Sequence, residues 1–290
     1  MKKILFIINT ILERETGMKI SGVVESEIER EKYEPVFEYS GYPGHATEIA
    51  KTNLDQYQTM VAVGGDGTLN EIGRVLLQTS KVLGIIPIGS GNGLARSLKI
   101  PLKVAKAVRV INEGSIRTID TGTMNDRIFI HMAGLGFAAD VAKNYCQSGK
   151  HGLGVYARYF INTFIKYRAT EYMVRVNGKE INKRYFLIDF ANVSQWGYNA
   201  HICPKADPSD GKLNVCLLSG FPKILIPCLV TRLFAGTMHR SPFMQIHSMT
   251  EAEVIGPGET WGHIDGDPVL FHNNIQVKVL PSSLKVISGI

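Results

Sequence analysis

Three observations predict the fold class α/β plus β. A doubly wound α/β domain is followed by a mainly antiparallel β-sandwich domain. Apolar runs of strand length alternate with helical patterns as far as about residue 118. Beyond that point most segments show strand patterns joined by hairpin signals. No low-complexity stretch separates the halves, so two closely packed domains are expected at 1–118 and 119–280, followed by a tail at 281–290.

The first half has the alternating order of a parallel sheet with covering helices. Strands are predicted at 4–8, 36–39, 60–63 and 82–86, and helices at 20–28, 44–53, 69–79 and 104–111. Met60–Val63 is a continuous apolar run, which is typical of a strand buried on both faces of its sheet. Gly114 follows the last helical pattern and predicts its end. This half is therefore expected to form one doubly wound domain.

The second half is dominated by strands. They are predicted at 116–123, 126–133, 171–177, 184–193, 213–219, 243–248, 251–256, 261–265 and 275–280, with helices at 137–147, 154–168 and 223–235. Asn177-Gly178 lies between two strand patterns and predicts a type I′ hairpin turn. Many short strands linked in this way indicate an antiparallel sandwich or a distorted barrel.

The composition restricts the location and the partners of the protein. A net charge of +6 and an isoelectric point near 9.0 favour an anionic partner. The basic residues are scattered rather than clustered, so no nucleic acid partner is expected. The four cysteines lack the spacing of a zinc site or a disulfide framework, and reduced thiols fit a cytoplasmic protein. No apolar stretch approaches the roughly 20 residues that span a bilayer.

The segment Val61–Glu71, Val-Ala-Val-Gly-Gly-Asp-Gly-Thr-Leu-Asn-Glu, joins a predicted strand to a predicted helix through a glycine-rich turn. Free amides and the helix dipole at such a position favour an anionic ligand, and glycines let a polyphosphate approach the main chain closely. Asp66 is the one charge inside the turn. A carboxylate repels a neighbouring phosphate unless a cation lies between them, so a magnesium ion is implied.

A second segment repeats this pattern on the next predicted strand. Val82–Ile86 runs into Pro87–Arg96, Pro-Ile-Gly-Ser-Gly-Asn-Gly-Leu-Ala-Arg, which again has the order strand, glycine-rich turn and helix. Two such turns on successive parallel strands are expected to face one crevice. A connection without a ligand is the alternative for either turn alone, and the pair of turns favours a nucleotide site.

These two segments resemble a known family. Gly64–Thr68, followed by Asn70 and Glu71, resembles the nucleotide loop of the diacylglycerol kinase and sphingosine kinase family of lipid kinases. NAD kinases and phosphofructokinases have a related loop. Pro87–Arg96 resembles the more selective lipid-kinase segment Pro-x-Gly-Thr-x-Asn-Asp-x-Ala-Arg, in a Gly-Ser-Gly-Asn form that is similar to sphingosine kinases. The resemblance covers nearly the whole chain and implies that the tail at 281–290 returns to the first domain.

The resemblance implies ATP and Mg²⁺ as cofactors and a set of nucleotide-binding residues. Asn9 occupies the position of an asparagine in the family's Asn-Pro-x-Ser-Gly loop, although the rest of that loop is replaced and strand-end capping is an equal alternative. Ser40, ahead of Gly44-His45-Ala46, resembles a family threonine that contacts the nucleotide. The implied set is Asn9, Ser40, Gly64, Gly65, Asp66, Gly67, Thr68, Asn70, Glu71, Ser90 and Asn92.

Two further sites are implied in the second half. Pro204–Asn214 resembles a segment in which the family holds a structural magnesium ion. One carboxylate and main-chain oxygens bind that ion, which implies Asp210 and the carbonyls of Asp207 and Lys212 as ligands. Asp120 resembles a family aspartate and is expected either to approach the acceptor hydroxyl of the substrate or to cap the turn between the domains.

Trp261–Asp267 contains two carboxylates, Asp265 and Asp267, at positions i and i+2. On an extended segment such side chains point to the same face, whereas a plain hairpin turn is the alternative. The resemblance to the family's Asp-Gly-Glu, in which the glutamate is the general base, implies Asp267 as the base and Asp265 as a support of the metal or base network. Asp267 is shorter than glutamate by one methylene. The resemblance to sphingosine kinases, which use the aspartate of their glycine-rich loop, implies Asp66 as the competing base.

Together these features predict an ATP- and Mg²⁺-dependent lipid kinase that transfers the γ-phosphoryl group to a hydroxyl of a lipid alcohol such as diacylglycerol. The alternatives are a sphingoid-base kinase, a NAD kinase-like enzyme with a soluble substrate, and a catalytically weak nucleotide-binding regulator. The expected partners are the lipid alcohol and, transiently, a membrane surface approached from the cytoplasm. A homodimer is left open.

Overall fold

The chain folds into two units. The computed structural model describes residues 1–10, 14–148 and 153–289. Unit 1 comprises Met1–Ile119 and Ser282–Ile290, and unit 2 comprises Asp120–Pro281. Among the described helices, none is both long enough and apolar enough to cross a bilayer.

Unit 1 is an α/β unit built on a parallel sheet, as the sequence predicts. Its first elements are β1 (Lys2–Asn9), α1 (Arg14–Glu27), β2 (Tyr33–Ser40), α2 (His45–Thr52), β3 (Thr59–Gly64), α3 (Asp66–Leu76), β4 (Val82–Pro87), α4 (Gly93–Ser97) and α5 (Val104–Glu113). The strand order is β4–β3–β1–β2, and every pairing in it is parallel. Ile4–Ile8 and Met60–Val63 are almost fully buried, which explains why these strands are continuous apolar runs in the sequence.

The strand order places a topological switch between β1 and β3. The chain passes from β1 to β2 on one side and then crosses to β3 on the other side of β1. Helix α1 packs with α5, and α2 packs with α3, as expected of a doubly wound unit. In open α/β sheets, ligands bind outside the carboxyl ends of the strands at such a switch. Asn9 ends β1 and Gly64 ends β3, so the first glycine-rich turn begins at this point.

Unit 2 is mainly antiparallel. Its elements are the end of β5 (Ser115–Met124), β6 (Arg127–Phe129), β7 (Met132–Gly136), α6 (Phe137–Gln147), α7 (Leu153–Lys166), β8 (Thr170–Val176), β9 (Lys179–Ala191), β10 (Leu213–Ser219), α8 (Ile226–Phe234), β11 (Met244–Met249), β12 (Glu251–Ile264) and most of β13 (Asp267–Ser288). The last part of β13 belongs to unit 1, where Lys285 pairs with Val82 of β4 in parallel.

The strands of unit 2 form a closed arrangement because two long strands each pair in two places. β9 pairs with β8 through its first half and with β7 and β10 through its second half. β12 pairs with β8 near its start and with β7 near its end. The interior holds an apolar core that includes Phe129, Tyr185, Phe190 and Val254. The α/β plus β fold class predicted from the sequence is thereby confirmed.

Two strand predictions in unit 2 differ from the structure. The predicted strand 126–133 is interrupted between β6 and β7, because the carboxylate of Asp265 binds the backbone amides at 130–132. The predicted strands 251–256 and 261–265 are one strand, β12, which continues through a shift in its pairing register with β13. A side chain that binds backbone amides from a distant segment leaves no local pattern in the sequence.

The predicted turn between β8 and β9 is confirmed. Asn177 and Gly178 have φ of 50° and 72°, and the flanking Val176 and Lys179 pair directly. These are the features of a two-residue type I′ turn, in which both central residues need positive φ. The predicted helix 223–235 begins as a short 3₁₀ segment and continues as α8.

Candidate active site

The amino end of α3 presents backbone amides in unit 1. The first amides of a helix have no partner within it, and in α3 the amide of Leu69 bonds to the carbonyl of Gly65 at 3.1 Å. Gly65 occupies the cap position and has no side chain to bind the earlier amides. The amides of Asp66, Gly67 and Thr68 are therefore available to an anion, and the helix dipole adds partial positive charge. Asp66 is half-buried and Gly67 is exposed.

The two glycine-rich turns pack directly against each other within unit 1. Ile88 donates a backbone hydrogen bond to the carbonyl of Gly64 at 2.9 Å. A methyl group added to Gly89 would overlap the Cα of Gly65, and one added to Gly65 would lie 3.2 Å from the Cα of Gly89. Asn92, with a left-handed φ of 51°, donates from Nδ2 to the carbonyl of Gly89 at 2.6 Å. The contact between backbones requires glycine at position 89 and places the two turns side by side.

Several residues of the expected nucleotide set are buried next to the two glycine-rich turns or form hydrogen bonds there. Asn9 Nδ2 donates to Thr68 Oγ1 at 2.8 Å, and this bond ties the end of β1 to the first turn of α3. Thr68 and Asn70 are both buried. Ser40 is 1% exposed at the end of β2, so its placement does not support the expected nucleotide contact. Ser90, by contrast, is exposed on the second turn.

Glu71 anchors helix α2. Its carboxylate accepts backbone hydrogen bonds from Gly44 at 3.0 Å and from Thr47 at 3.3 Å. It thereby caps a helix whose own cap position, Gly44, has no side chain. His45, the first residue of α2, accepts from the amide of Gly41 through Nδ1 at 3.1 Å. Glu71 therefore links α3 to α2, and this placement does not support the expected nucleotide contact of its side chain.

Asp265 and Gly266 form a tight turn in unit 2. Ile264 and Asp267 pair directly, and the two residues between them have φ of 50° and 96°. These values define a two-residue type I′ hairpin turn. The expectation of an extended segment with both carboxylates on one face is therefore wrong. Asp267 is the first residue of β13 and is exposed.

The carboxylate of Asp265 fixes this turn. It accepts backbone hydrogen bonds from Ile130 at 2.9 Å, His131 at 2.8 Å and Met132 at 2.9 Å. The amide of Asp265 donates to the carbonyl of Met132 at 2.8 Å. These bonds engage the carboxylate with backbone amides, so Asp265 holds the turn that carries Asp267.

We expect Asp265→Ala to lower the free energy of unfolding by about 3 kcal/mol, because hydrogen bonds to a charged acceptor contribute about 1.5–3 kcal/mol each and the freed amides are buried. The shift of the urea midpoint measures the change. Asp126→Ala removes an exposed aspartate from the turn between β5 and β6, and should alter the stability by less than about 0.5 kcal/mol. Equal stability of the two variants would show that the Asp265 bonds contribute little.

Helix α6 lies beside Asp267. Burial, and secondarily the negative charge of Asp267, raise the pKa of the Cys146 thiol. On the same helix, the ammonium of Lys143 lies 4.4 Å from the centroid of the Trp261 ring. Burial raises the pKa of Asp140, and the charge of Lys143 opposes that shift. Asp267 is thus an exposed carboxylate next to a half-buried polar helix surface.

Because burial raises the pKa of Asp140, the folded protein favours the protonated carboxyl more than the unfolded chain does. Its contribution to stability is present below the ordinary aspartate pKa and is lost as the pH rises toward the raised value. Asp140→Asn removes this penalty, so the gain in melting temperature should be larger at about pH 7.5 than at about pH 3.5. Thermal unfolding at both pH values tests this. Asp126→Asn is the exposed control, and an equal gain at both pH values would contradict the expectation.

Asp120 is buried and anchors the loop that was expected to bind a structural metal. Its Oδ2 accepts from the amide of Gly211 at 2.7 Å, and its own amide donates to the carbonyl of Pro208 at 2.6 Å. The residue is 1% exposed. This placement favours the alternative in which Asp120 caps a turn, and its contact with an acceptor hydroxyl stays a prediction.

The expected structural magnesium site has no preformed cluster of carboxylates. Asp207 Oδ1 accepts from the amide of Ser209, and Asp210 Oδ1 accepts from the amide of Lys212, each at 3.0 Å. Within the described residues, no group of three or more His, Cys, Asp or Glu is placed to hold a metal ion. A site of one carboxylate and two main-chain carbonyls, as expected at Asp210, Asp207 and Lys212, does not need such a cluster, so this magnesium site stays a prediction. Asp66 is a different case, because Mg²⁺ is commonly held by one or two carboxylates together with substrate phosphates.

A buried polar cluster was not expected from the sequence. Asp189 in β9 is fully buried, accepts from the Trp196 indole at 2.8 Å, and lies 3.4 Å from Nε2 of His263. His263 is two residues before Asp265 on β12, so the cluster lies next to the turn. The signal in the sequence was a carboxylate inside the apolar run Tyr185–Ala191. Such a group needs buried partners.

Helices α7 and α8 cover an apolar cavity of about 70 Å³ in unit 2. Its lining is aromatic and aliphatic and includes Phe137, Phe160, Phe164, Trp196 and Leu229. Space enclosed by such side chains favours hydrocarbon over water.

Comparisons with known proteins define the class to which this fold and site belong. The family described as "Diacylglycerol kinase catalytic domain" matches residues 3–124. The family described as "YegS C-terminal NAD kinase beta sandwich-like domain" matches residues 132–288. The chain therefore belongs to the YegS-like family of lipid kinases with a diacylglycerol kinase catalytic domain, and is a phosphotransferase with an alcohol group as the acceptor.

Individual relatives cover most of the chain. A protein of Yersinia enterocolitica named "Probable lipid kinase YegS-like" is 30% identical over 236 residues, which are 79% of this chain and 78% of the relative. A protein of Pseudomonas aeruginosa with the same name is 29% identical over 255 residues, 84% of this chain and 81% of its own. Two solved Bacillus anthracis structures of the diacylglycerol kinase type have TM-scores of 0.81 and 0.74 at 18% and 14% identity, and cover 99% of this chain and 95% and 97% of their own. These structural likenesses concern the fold.

Proposed function

We propose that the protein transfers the γ-phosphoryl group of ATP to a hydroxyl of a lipid alcohol such as diacylglycerol, with Mg²⁺ as cofactor. The observation that carries this proposal is the amino end of α3, where amides available to an anion adjoin the contact between Gly65 and Gly89. A glycine surface lets a triphosphate lie against the main chain, and the amides of Asp66–Thr68 would donate to its oxygens. The exposed hydroxyl of Ser90 would add a donor from the second turn.

Asp66 would hold the metal ion. It is half-buried at the first position of α3, next to the amides assigned to the phosphates. When bound, Mg²⁺ neutralises the charge that the phosphates carry during transfer. Because the helix dipole also favours a carboxylate at this end of α3, Asp66 is stable there before the ligand arrives.

Asp267 would accept the proton of the acceptor hydroxyl. The hydroxyl oxygen forms the new bond to the γ-phosphorus, the bond to the β–γ bridging oxygen breaks, and ADP leaves. A general base has to be exposed to the substrate and held in place. Asp267 is exposed, and the bonds of Asp265 to the 130–132 amides fix the turn that carries it.

The apolar cavity of unit 2 supports a lipid acceptor. Its lining is apolar throughout, and it lies under α7 and α8. A space of about 70 Å³ holds only a few methylene groups, and the end of a hydrocarbon chain would gain free energy by leaving water for it, whereas its described lining offers a dinucleotide no polar partner. A lipid acceptor resides in a bilayer, so the protein is also proposed to act at a membrane surface.

Transfer from radiolabelled ATP to a panel of acceptors tests the function. With Mg²⁺ present, diacylglycerol in mixed micelles should give a labelled lipid phosphate that chromatography resolves, and sphingosine and NAD serve as competing acceptors. Asp267→Asn, assayed in parallel, should give little labelled product. Labelled NADP without a lipid product would overturn the proposal, and ATP binding without turnover on any acceptor would indicate a nucleotide-binding regulator instead.

A further inference from the structure

A basic cleft lies on unit 2, where the end of α7, strand β9 and the loop between β10 and α8 meet. Its volume is about 960 Å³. Among the described residues, the side chains that line it include five exposed cations and no acidic group; the cations are Lys166, Arg168, Lys183, Arg184 and Lys223. None of the five belongs to the ion pairs found among the described residues. So many uncompensated cations in one cleft favour an anionic ligand.

Lys223 connects the cleft to two helices. Its Nζ donates to the carbonyl of Ile165 at 2.6 Å, and it lies 5.7 Å from the centroid of the Phe164 ring. This contact fixes the segment before α8 against the carboxyl end of α7. Ile224, the next residue, is 86% exposed, and Ile165 is 63% exposed. Two large apolar side chains therefore project into solvent beside the cations.

Exposed apolar residues continue along both helices. Ile161 and Ile165 in α7, and Val230 and Phe234 in α8, are exposed pairs at i and i+4 and so share a helix face. Single exposed apolar residues are ordinary, but these four belong to two helices that line one cavity, and Ile224 lies in the short 3₁₀ segment directly before α8. Cations beside exposed apolar side chains match the interface of an anionic bilayer, where phosphates adjoin acyl chains.

We infer that the basic cleft, Ile224 and the exposed apolar residues of α7 and α8 are the surface by which unit 2 docks on bilayers that contain anionic phospholipids. The cleft binds lipid phosphates, and Ile165 and Ile224 enter the acyl region. Phe164 and Phe186 line both the cleft and the apolar cavity, so the cavity lies directly behind this surface. The inference rests on the proposed function in one respect: the proposed acceptor lipid lies in the bilayer, so the protein has to bind the bilayer to reach it.

Vesicle co-sedimentation of the full chain without ATP tests the cleft. Wild type should bind vesicles of phosphatidylcholine with about 30% phosphatidylglycerol far better than phosphatidylcholine alone, and less as salt rises. Lys183→Glu with Arg184→Glu should lower the partition coefficient at least about 30-fold. Lys179→Glu with Lys278→Glu changes the net charge equally on exposed residues near the β8–β9 turn, and should have a much smaller effect. Equal binding to both vesicles, or by both double variants, would overturn the inference.

Insertion of the apolar residues is tested separately. Tryptophan introduced by Ile224→Trp should be quenched by brominated lipids in the anionic vesicles, whereas Lys179→Trp should not. The inference would be overturned if Ile224→Trp showed no additional quenching. It would also be overturned if a second copy of the chain occupied this face, which would be seen as a dimer that Ile224→Asp dissociates.

The Lys183 and Arg184 double variant should keep its activity on short-chain diacylglycerol in detergent micelles. Normal vesicle docking without phosphorylation of any lipid would remove the proposed function and leave the docking surface standing.

Discussion

Asp267→Asn should lower kcat by about 10² or more while the affinity for ATP stays nearly unchanged. Asparagine has nearly the shape of aspartate but lacks the basic oxygen that would take the hydroxyl proton. Asp267 is exposed, and the bonds that fix its turn belong to Asp265, so the fold should not change. Initial rates at saturating ATP and lipid, with nucleotide affinity from calorimetry, separate the two parameters.

Asp267→Glu and Asp66→Asn complete the test. Glutamate lengthens the side chain by one methylene and keeps a basic oxygen on an exposed turn, so Asp267→Glu should retain activity. Asp66→Asn should be damaging whichever residue is the base, because it also removes the proposed ligand of Mg²⁺. Only the Asp267 variants distinguish the two candidates. A near-normal kcat in Asp267→Asn would exclude Asp267 as the general base and leave Asp66 as the candidate.

Gly67→Ala should weaken ATP binding at least about tenfold without weakening the fold. A methyl group added at Gly67 has no atom within 4 Å, and alanine favours a helix over glycine by up to about 1 kcal/mol. The methyl group would occupy the space in which a phosphate of the nucleotide is proposed to lie. Titration calorimetry with ATP measures the affinity, and thermal unfolding checks the fold.

Gly22→Ala is the matched control. Gly22 lies in α1, where an added methyl group again has no neighbour within 4 Å. Both variants should gain similar helix stability, and only Gly67→Ala should lose ATP affinity. Unchanged affinity in Gly67→Ala would move the phosphates away from α3. Gly89→Ala is less informative, because its methyl group would overlap the backbone of Gly65 and disturb the turns themselves.

The fold was predictable where local pattern and burial agree. Strands β3 and β4 are buried on both faces, so their sequences are continuous apolar runs bounded by glycine-rich turns. The break between β6 and β7 was not predictable, because its cause is the carboxylate of Asp265, more than a hundred residues later in the chain. A periodic pattern of apolar residues indicates which positions of a segment are buried. It does not indicate which distant side chain binds the backbone amides of that segment.

The candidate site was predictable as a location but not as a set of contacts. The motif Gly64–Glu71 contains groups that face solvent, such as Gly67, and groups that hold the turns, such as Thr68 and Glu71. The partner of Thr68 is Asn9, 59 residues away, and the partner of Glu71 is Gly44, 27 residues away. Adjacent motif residues therefore take different roles according to long-range partners that spacing alone does not reveal.

The parallel sheet of unit 1 includes the last part of strand β13, which is synthesised after the whole of unit 2. Lys285 and Val286 pair with Val82 and Leu83, so these two positions of β4 lack this partner until the intervening chain has been synthesised. Unpaired backbone groups at a strand edge can pair with other nascent chains. Pairing between segments so far apart in the sequence is also slow. A ribosome that stalls before Ser282 would therefore leave an aggregation-prone sheet in a unit whose other strands were made first. The parallel sheet of unit 1 is thus complete only when a segment from the far end of the sequence is present.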